Sequence, residues 1–501
     1  MRLPNAAVMA VLVAATGCAT GTAFLCPARG GPAWRDVGSD HFVLRTDLEV
    51  RDASKLLARL ERLRTAVVSA LFDEVPASRS GVEVVAFRTE AEYRAFAPPG
   101  VDAYYLRSAG GPPRIVLSGQ LDSRQRAMLA HELTHHYLSS VFLRQPRWFS
   151  EGLATLMEPV GDQGDGPLLK VGQAPASRLA RLRNSAYRVT TRELLVWEGG
   201  QTATHPALDY YGASWLLVHY LAYRTPERFA ELQRRLVRGE SPEAAWRGAY
   251  PDWDPARPRA LEALDLALET YLGAEAQTRY RQVPETWHQE PAVRAIVPAE
   301  VHAIRLALWN QGPDKGASAL RAEVSEALSE DPDHPLALQL KATLTGEPTI
   351  PLARRAVRGH PDDPRAWTFL AFALKGEEND AERLLAYRTA ATLAEGNAAA
   401  LHNLSIELLA QGRSGEALPV TREAVRLAPW SPPLLDGYAA VLADLGRCAQ
   451  AAEVQQRALE VLPERSGQAA RQAFKDRLRQ IRVQCRMPPD PSPTSSPPSA
   501  R

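Results

Sequence analysis

The stretch His131-Glu132-Leu133-Thr134-His135, followed by Pro146-Arg147-Trp148-Phe149-Ser150-Glu151-Gly152-Leu153-Ala154, decides how this chain is read. On a helix, positions i and i+4 share a face, so His131 and His135 can grip one metal ion together. Glu132, between them, can lean over the open coordination position. Glu151 follows His135 by sixteen positions, room for one helix to end, a loop to turn and a second helix to begin. Two His and one Glu form the ligand set that leaves zinc a fourth position for chemistry. The pattern therefore predicts one Zn2+ per chain, held by His131, His135 and Glu151. A surface helix with coincidental histidines would explain the first half alone. A glutamate favoured by the helix dipole, with Ser150 as its cap, would explain the second half alone. The two halves together favour the metal. His136 points roughly 100° away from His135 on the same helix and is not expected to be a ligand.

These residues resemble the gluzincin metallopeptidases, and more narrowly the bacterial peptidase MA-like families that read HELxH…PxWxxEGLA. The similarity runs from about Trp34 to Leu221, outside the motif as pattern rather than identity. The interval between the histidines and Glu151 is shorter than in thermolysin-like peptidases, as is usual in the MA-like families. The resemblance implies zinc binding, a proteolytic fold, and Glu132 as the base that takes a proton from water and returns it to the leaving amine. It also implies a downstream Tyr or His as donor to the oxyanion. Tyr210 and Tyr211 are the candidates, with His219 behind them. Aromatic residues at such spacing also serve as core, and His205 and His219 are weaker candidates as ligands.

Working outward, residues 40–46 read as a strand, and Leu56, Leu57, Leu60, Leu63, Val67 and Leu71 follow helical spacing. Further strands are expected over 82–87 and 113–117, with a short helix over 90–96. Asp122 or Ser123 suits the N-cap of the metal-bearing helix. In zincins generally, the strand just before that helix is a sheet edge on which substrate adds as a further strand, so residues 114–117 are expected there; an ordinary covered strand is the alternative. Residues 175–273 read as mostly helical, and the Pro-spaced stretch 282–300 reads as a boundary.

The C-terminal third repeats. Leu374, Leu408 and Leu442 lie 34 residues apart, as do Ala390, Ala424 and Ala458, and Gly412 and Gly446. This period resembles tetratricopeptide repeats, helical hairpins that bury their apolar faces by stacking on the next unit. Two units, from about Ala398 to Pro463, are clear; a degraded one precedes them, and 317–355 can hold another.

With 59 basic and 58 acidic residues the net charge is +1, which gives no electrostatic footprint for nucleic acid. The N-terminus has an apolar run over Ala6–Ala15, too short for a permanent membrane span. Ala15-Thr16-Gly17-Cys18 resembles a bacterial lipobox with Cys18 as the lipidated residue, although Ala15 stands where Leu is usual. An ordinary secretory signal cut near Gly17 or Ala19 is the alternative, and both readings export the protein. Cys26 is expected to be free, and Cys448 and Cys485 can pair or stay reduced.

The expected fold is an α+β zincin-like peptidase domain followed by an all-α tetratricopeptide-repeat solenoid. The divisions are a signal peptide over 1–18, a tether over 19–33, the peptidase domain over 34–285, a linker or helical connection over 286–316, the repeats over 317–485 and a disordered Pro/Ser tail over 486–501. The expected function is hydrolysis of protein or peptide substrates in the bacterial cell envelope, with a lipid anchor in the membrane and a protein partner on the repeats. The alternative is a catalytically inactive, peptidase-like lipoprotein that acts as a repeat-based binding scaffold.

Overall fold

The computed structural model describes residues 24–486 apart from 73–80, 107–112, 120, 143–144, 162, 164–165, 185–187, 198–204, 258, 274–276, 284–289, 377–378 and 463–465. Cys18, the signal segment and the tail from 487 on therefore lie outside the described residues. No helix among those described is long and apolar enough to cross a membrane.

The chain opens with β1 (Arg35–Gly38), β2 (Phe42–Thr46), the long α1 (Val50–Leu71), β3 (Val82–Phe87), α2 (Glu90–Phe96), β4 (Ala103–Leu106) and β5 (Arg114–Ser118). Then come α3 (Ser123–Val141), α4 (Arg147–Gly161), β6 (Leu168–Val171), α5 (Ala176–Asn184), α6 (Thr191–Leu195) and α7 (Ala207–Arg224). Helices α8 (Pro226–Val237), α9 (Pro242–Ala249) and α10 (Ala260–Gly273) precede β7 (Arg279–Gln282), which pairs with β6, and β8 (Ala292–Ala295). The main sheet runs β4-β5-β3-β2-β1-β8, with β2, β3 and β5 parallel and the others antiparallel to their neighbours.

Strand alternation sorts the two faces of this sheet. Leu44, Val82, Val84, Ile115 and Leu117 pack beneath α1 and α3 in one core, whereas Trp34, Val85, Phe87 and Val116 face the other way. That second face is covered by α2 and by α11 (Pro298–Ala307), through Val301, Ile304 and Leu308. Two expectations change here. Residues 286–316, expected as a linker or helical connection, do contain a helix, but they are also part of the first domain: β8 completes the sheet against β1, and α11 seals the sheet's second face. The edge beside α3 is β4, antiparallel to β5, so the strand immediately before α3 lies inside the sheet, the covered strand that was the alternative.

A row of alternating charge crosses the second face. Arg294 meets Asp36 at 2.7 Å, Asp36 meets Arg45 at 3.4 Å, Arg45 meets Glu83 at 3.4 Å, and Glu83 meets Arg114 at 2.9 Å. Glu300 of α11 joins the row through Arg45 at 3.6 Å. It also carries the row into the helices beyond, to His334 at 3.4 Å and Arg365 at 2.8 Å. Burial opposes the Glu300 carboxylate, yet these partners lower its pKa to about 2.

Those helices are α12 (Gly316–Glu330), then the hairpins α13 (Pro335–Thr345) with α14 (Thr349–Gly359), α15 (Pro364–Ala373) with α16 (Asp380–Leu393), α17 (Ala398–Ala410) with α18 (Ser414–Leu427), and α19 (Pro432–Asp444) with α20 (Cys448–Glu460). Small residues at the crossings, Ala390, Ala424 and Ala458, are buried to within 1 % of full, which lets each hairpin close. The repeat array is thus real, and the unit at Pro364 is a complete hairpin despite its weak sequence signal. Helix α21 (Gly467–Gln484) caps the array, and a disulfide joins Cys448 to Cys485.

The expected tether is shorter than read. Phe24 and Cys26 dock on α11 and α12, with Phe24 under the Arg305 guanidinium at 3.5 Å and the free thiol of Cys26 3.2 Å from His302 Nε2.

Candidate metal centre

Helix α3 starts where Asp122 closes a capping box: its Oδ1 accepts from Gln125 N at 2.7 Å, and Gln125 Oε1 accepts from Asp122 N at 2.9 Å. Leu129, Leu133 and Tyr137 bury one face of α3, which turns His131 and His135 toward α4. Helix α4 in turn packs against α7 at Gly152. A Cβ there would sit 2.6 Å from Ser214 O and 2.5 Å from Val218 Cγ2, so only glycine allows this approach. The close crossing brings Tyr211 of α7 to the same place as Glu151 of α4.

The ligand atoms offered by His131, His135 and Glu151 all lie within 4.8 Å of one another. The two Nε2 atoms are 3.1 Å apart, and Glu151 Oε2 is 3.4 Å from each. The other ring nitrogens are held from behind. His131 Nδ1 lies 3.2 Å from Glu158 Oε1, and His135 Nδ1 lies 2.9 Å from Ser150 Oγ. With Nδ1–H donating to these oxygens, both Nε2 lone pairs face the common centre, the tautomer a metal requires. Glu151 Oε2 is buried and accepts no hydrogen bond, an atom that a cation would satisfy. The three residues therefore fit a zinc ion in chemistry and in arrangement.

The local electrostatics suit a cation as well. Burial works against charge on His131, but Glu151 and Glu158 prevail and raise its pKa to about 10, so these carboxylates draw one positive charge to Nε2, a proton or, in its place, a metal ion. Burial likewise works against Glu151, yet His135 and His131 hold its carboxyl well below the usual range. Glu158 is lowered too, by His131 and Arg178 against its own burial. Glu132 is half-buried on α3, and its charge adds to the pull on His131.

Of the two tyrosines, Tyr211 is the one beside the cluster, its ring 6.3 Å from that of His131. Burial, and after it the Glu151 carboxylate, raises its pKa. Tyr210 is fully buried and stacked on Trp197 at 4.5 Å, so its expected catalytic role gives way to a core one. His219 is spent inside the core, 2.8 Å from Tyr271 Oη and 2.9 Å from Gly172 O. His205 lies 3.5 Å from Glu193, away from the trio. His136 turns toward the sheet edge, 3.0 Å from Tyr105 Oη of β4, and its ring is 5.8 Å from Trp430 in the turn between α18 and α19. The repeat array thus returns to touch α3.

Sequence reading missed Arg147 and Arg178. Arg147 lies 3.9 Å from Glu151, with its guanidinium 4.2 Å over the Trp197 ring; Arg178 binds Glu158 at 2.9 Å and stands 5.6 Å over Tyr211. The available signal was positional, since both cations occupy first turns of helices, where the dipole disfavours positive charge.

Compared with known proteins, residues 125–241 match the family described as "Protein of unknown function (DUF1570)". No curated protein matches the chain. Solved structures similar to it include PilW, a widely conserved type IV pilus biogenesis factor, at 17 % identity over 38 % of this chain and 87 % of that one, with a TM-score of 0.31. YrrB, described as a TPR protein with an unusual peptide-binding site, is 14 % identical over 32 % of this chain and 90 % of its own, with a TM-score of 0.26. Yeast Tom70 is 12 % identical over 88 % of this chain and 74 % of its own, with a TM-score of 0.31.

Proposed function

We propose that this protein is a zinc-dependent peptidase of gluzincin type, built on a zincin-like α+β domain and joined to a repeat array that holds a protein partner. One observation carries the reading: His131, His135 and Glu151 present three ligand atoms to one point, with Glu132 on the same helix. Zinc bound there would polarise a peptide carbonyl and acidify water. Glu132 takes the proton from the attacking water and delivers it to the departing amine. Tyr211, beside His131, donates to the oxygen that gains charge. Glu158 and Ser150 keep the two imidazoles in the productive tautomer.

The test is metal content. Purified protein is expected to carry about one zinc per chain, removable by chelator, and His135→Ala to lose most of it. Wild-type protein that binds no zinc when reconstituted would overturn the reading.

A second reading, an inactive peptidase-like scaffold, needs only the helical array, which suits protein or peptide binding in either case. By likeness to known structures alone it is the better matched, since nothing in the comparisons bears on hydrolysis. The metal cluster is the feature it leaves unexplained.

Export and lipidation at Cys18 belong to the same proposal, and the Cys448–Cys485 bond sits well with an oxidising compartment. Cys18→Ser is expected to move the protein out of the membrane fraction or leave its signal uncut. A wild-type protein found wholly soluble, starting at another residue, would remove the anchor.

A further inference from the structure

Arg147 is the first residue of α4 and Arg178 the third of α5, positions where a cation works against the helix dipole. Both side chains are also about four-fifths buried, with 21 % and 19 % of their surface exposed, which adds a desolvation cost. Neither placement helps its own helix. The two guanidiniums instead converge on Tyr211. Arg178, held by Glu158 at 2.9 Å, stands 5.6 Å over its ring, and Arg147, 3.9 Å from Glu151, is near enough for its charge to act on the Tyr211 hydroxyl. Tyr211 in turn lies next to His131.

Charge balance gives this placement a purpose. Around the centre, Glu132, Glu151 and Glu158 face two guanidiniums and, once loaded, a doubly charged ion. That leaves one unit of positive charge in a cleft wall made of two helix N-termini. A neutral peptide does not complete such a site. We propose that Arg147 and Arg178 are specificity-determining residues that recognise a carboxylate next to the bond being cut. That carboxylate is an acidic side chain or the free C-terminus of the substrate. Guanidinium and carboxylate match in shape as well as sign, and a partly buried pair is screened little by salt. The proposal rests on the peptidase reading for its mention of a cut bond, but the anion site itself is measurable without cleavage.

The experiment uses full-length, zinc-loaded Glu132→Gln protein and three peptide mixtures of one common sequence set: end-blocked with Glu, end-blocked with Gln, and Gln-containing with a free C-terminal carboxylate. Binding is followed by calorimetry. One or both anionic mixtures are expected to bind about tenfold to a hundredfold more tightly than the blocked Gln mixture. The tighter of the two identifies whether side chain or terminus is read. Arg147→Gln and Arg178→Gln are each expected to shrink that ratio toward one while zinc per chain stays the same. Equal binding of all three mixtures by the protein with both arginines overturns the proposal, and this comparison needs no arginine variant to fold. So does a ratio left intact in both variants. Anion-selective binding in a wild type that cuts nothing would uphold this proposal and sink the peptidase reading. Cleavage without anion selectivity would do the reverse.

Discussion

Glu132→Gln is expected to bind zinc as wild type does and to lose about 10²–10⁴-fold in kcat, the usual size of a lost general base. The separation follows from the geometry. The ligand atoms belong to His131, His135 and Glu151, whereas Glu132, in the same turn of α3 as the two histidines, acts on them through its charge alone. Removing that charge leaves the trio and the partners behind it, Glu158 and Ser150, in place. The measurement is zinc per chain by elemental analysis, with turnover of a quenched peptide by the same preparation. A Glu132→Gln protein that cleaves as fast as wild type would end the assigned mechanism. One that loses zinc would show that Glu132 holds the cluster together.

The meeting of His131, His135 and Glu151 was legible because the pattern expected of a metal site restricts residue type and spacing together. Such a pattern admits few residue types at those three positions, and the helix period brings the two histidines to one face. The repeats were legible for a related reason: every hairpin buries the same positions, so Leu374, Leu408 and Leu442 recur at one interval. What escaped depends on partners distant in sequence. Strands β1, β4 and β8 have four residues each, too short to show a period. All four residues of β8 are exposed, so no alternation marks it, and it exists only because residues 35–38 pair with it. Choosing Tyr211 over Tyr210 needed the rotation of α7 set by Gly152, and Arg147 and Arg178 needed the crossing of α4, α5 and α7.

The pairing of β8 has a large consequence for any shortened chain. A fragment ending near Glu290 loses both β8 and α11. It therefore uncovers Trp34, Phe87 and Val116 on the second face of the sheet and leaves β1 with an open edge. Val301, Ile304 and Leu308 are buried to within 4 % of full. At roughly 1.5–3 kcal/mol for each buried aliphatic side chain, their loss removes about 5–9 kcal/mol. That matches the entire stability of an ordinary domain, about 5–15 kcal/mol. The fragment is expected to aggregate or melt at room temperature and to hold no zinc, because α3 stands on the other face of the same sheet. Extending it to Glu330 restores α11, and α12 with it. Glu323 then again receives the Arg305 guanidinium at 2.7 Å and the His302 imidazole at 2.8 Å. This longer fragment is expected to fold cooperatively and bind one zinc, since hairpins beyond it rest chiefly on their neighbours in the array. Circular-dichroism melts and zinc content of the two fragments decide the matter. A folded, zinc-bearing fragment ending at Glu290 would mean that the sheet stands without its sixth strand and that α11 belongs to the repeats alone.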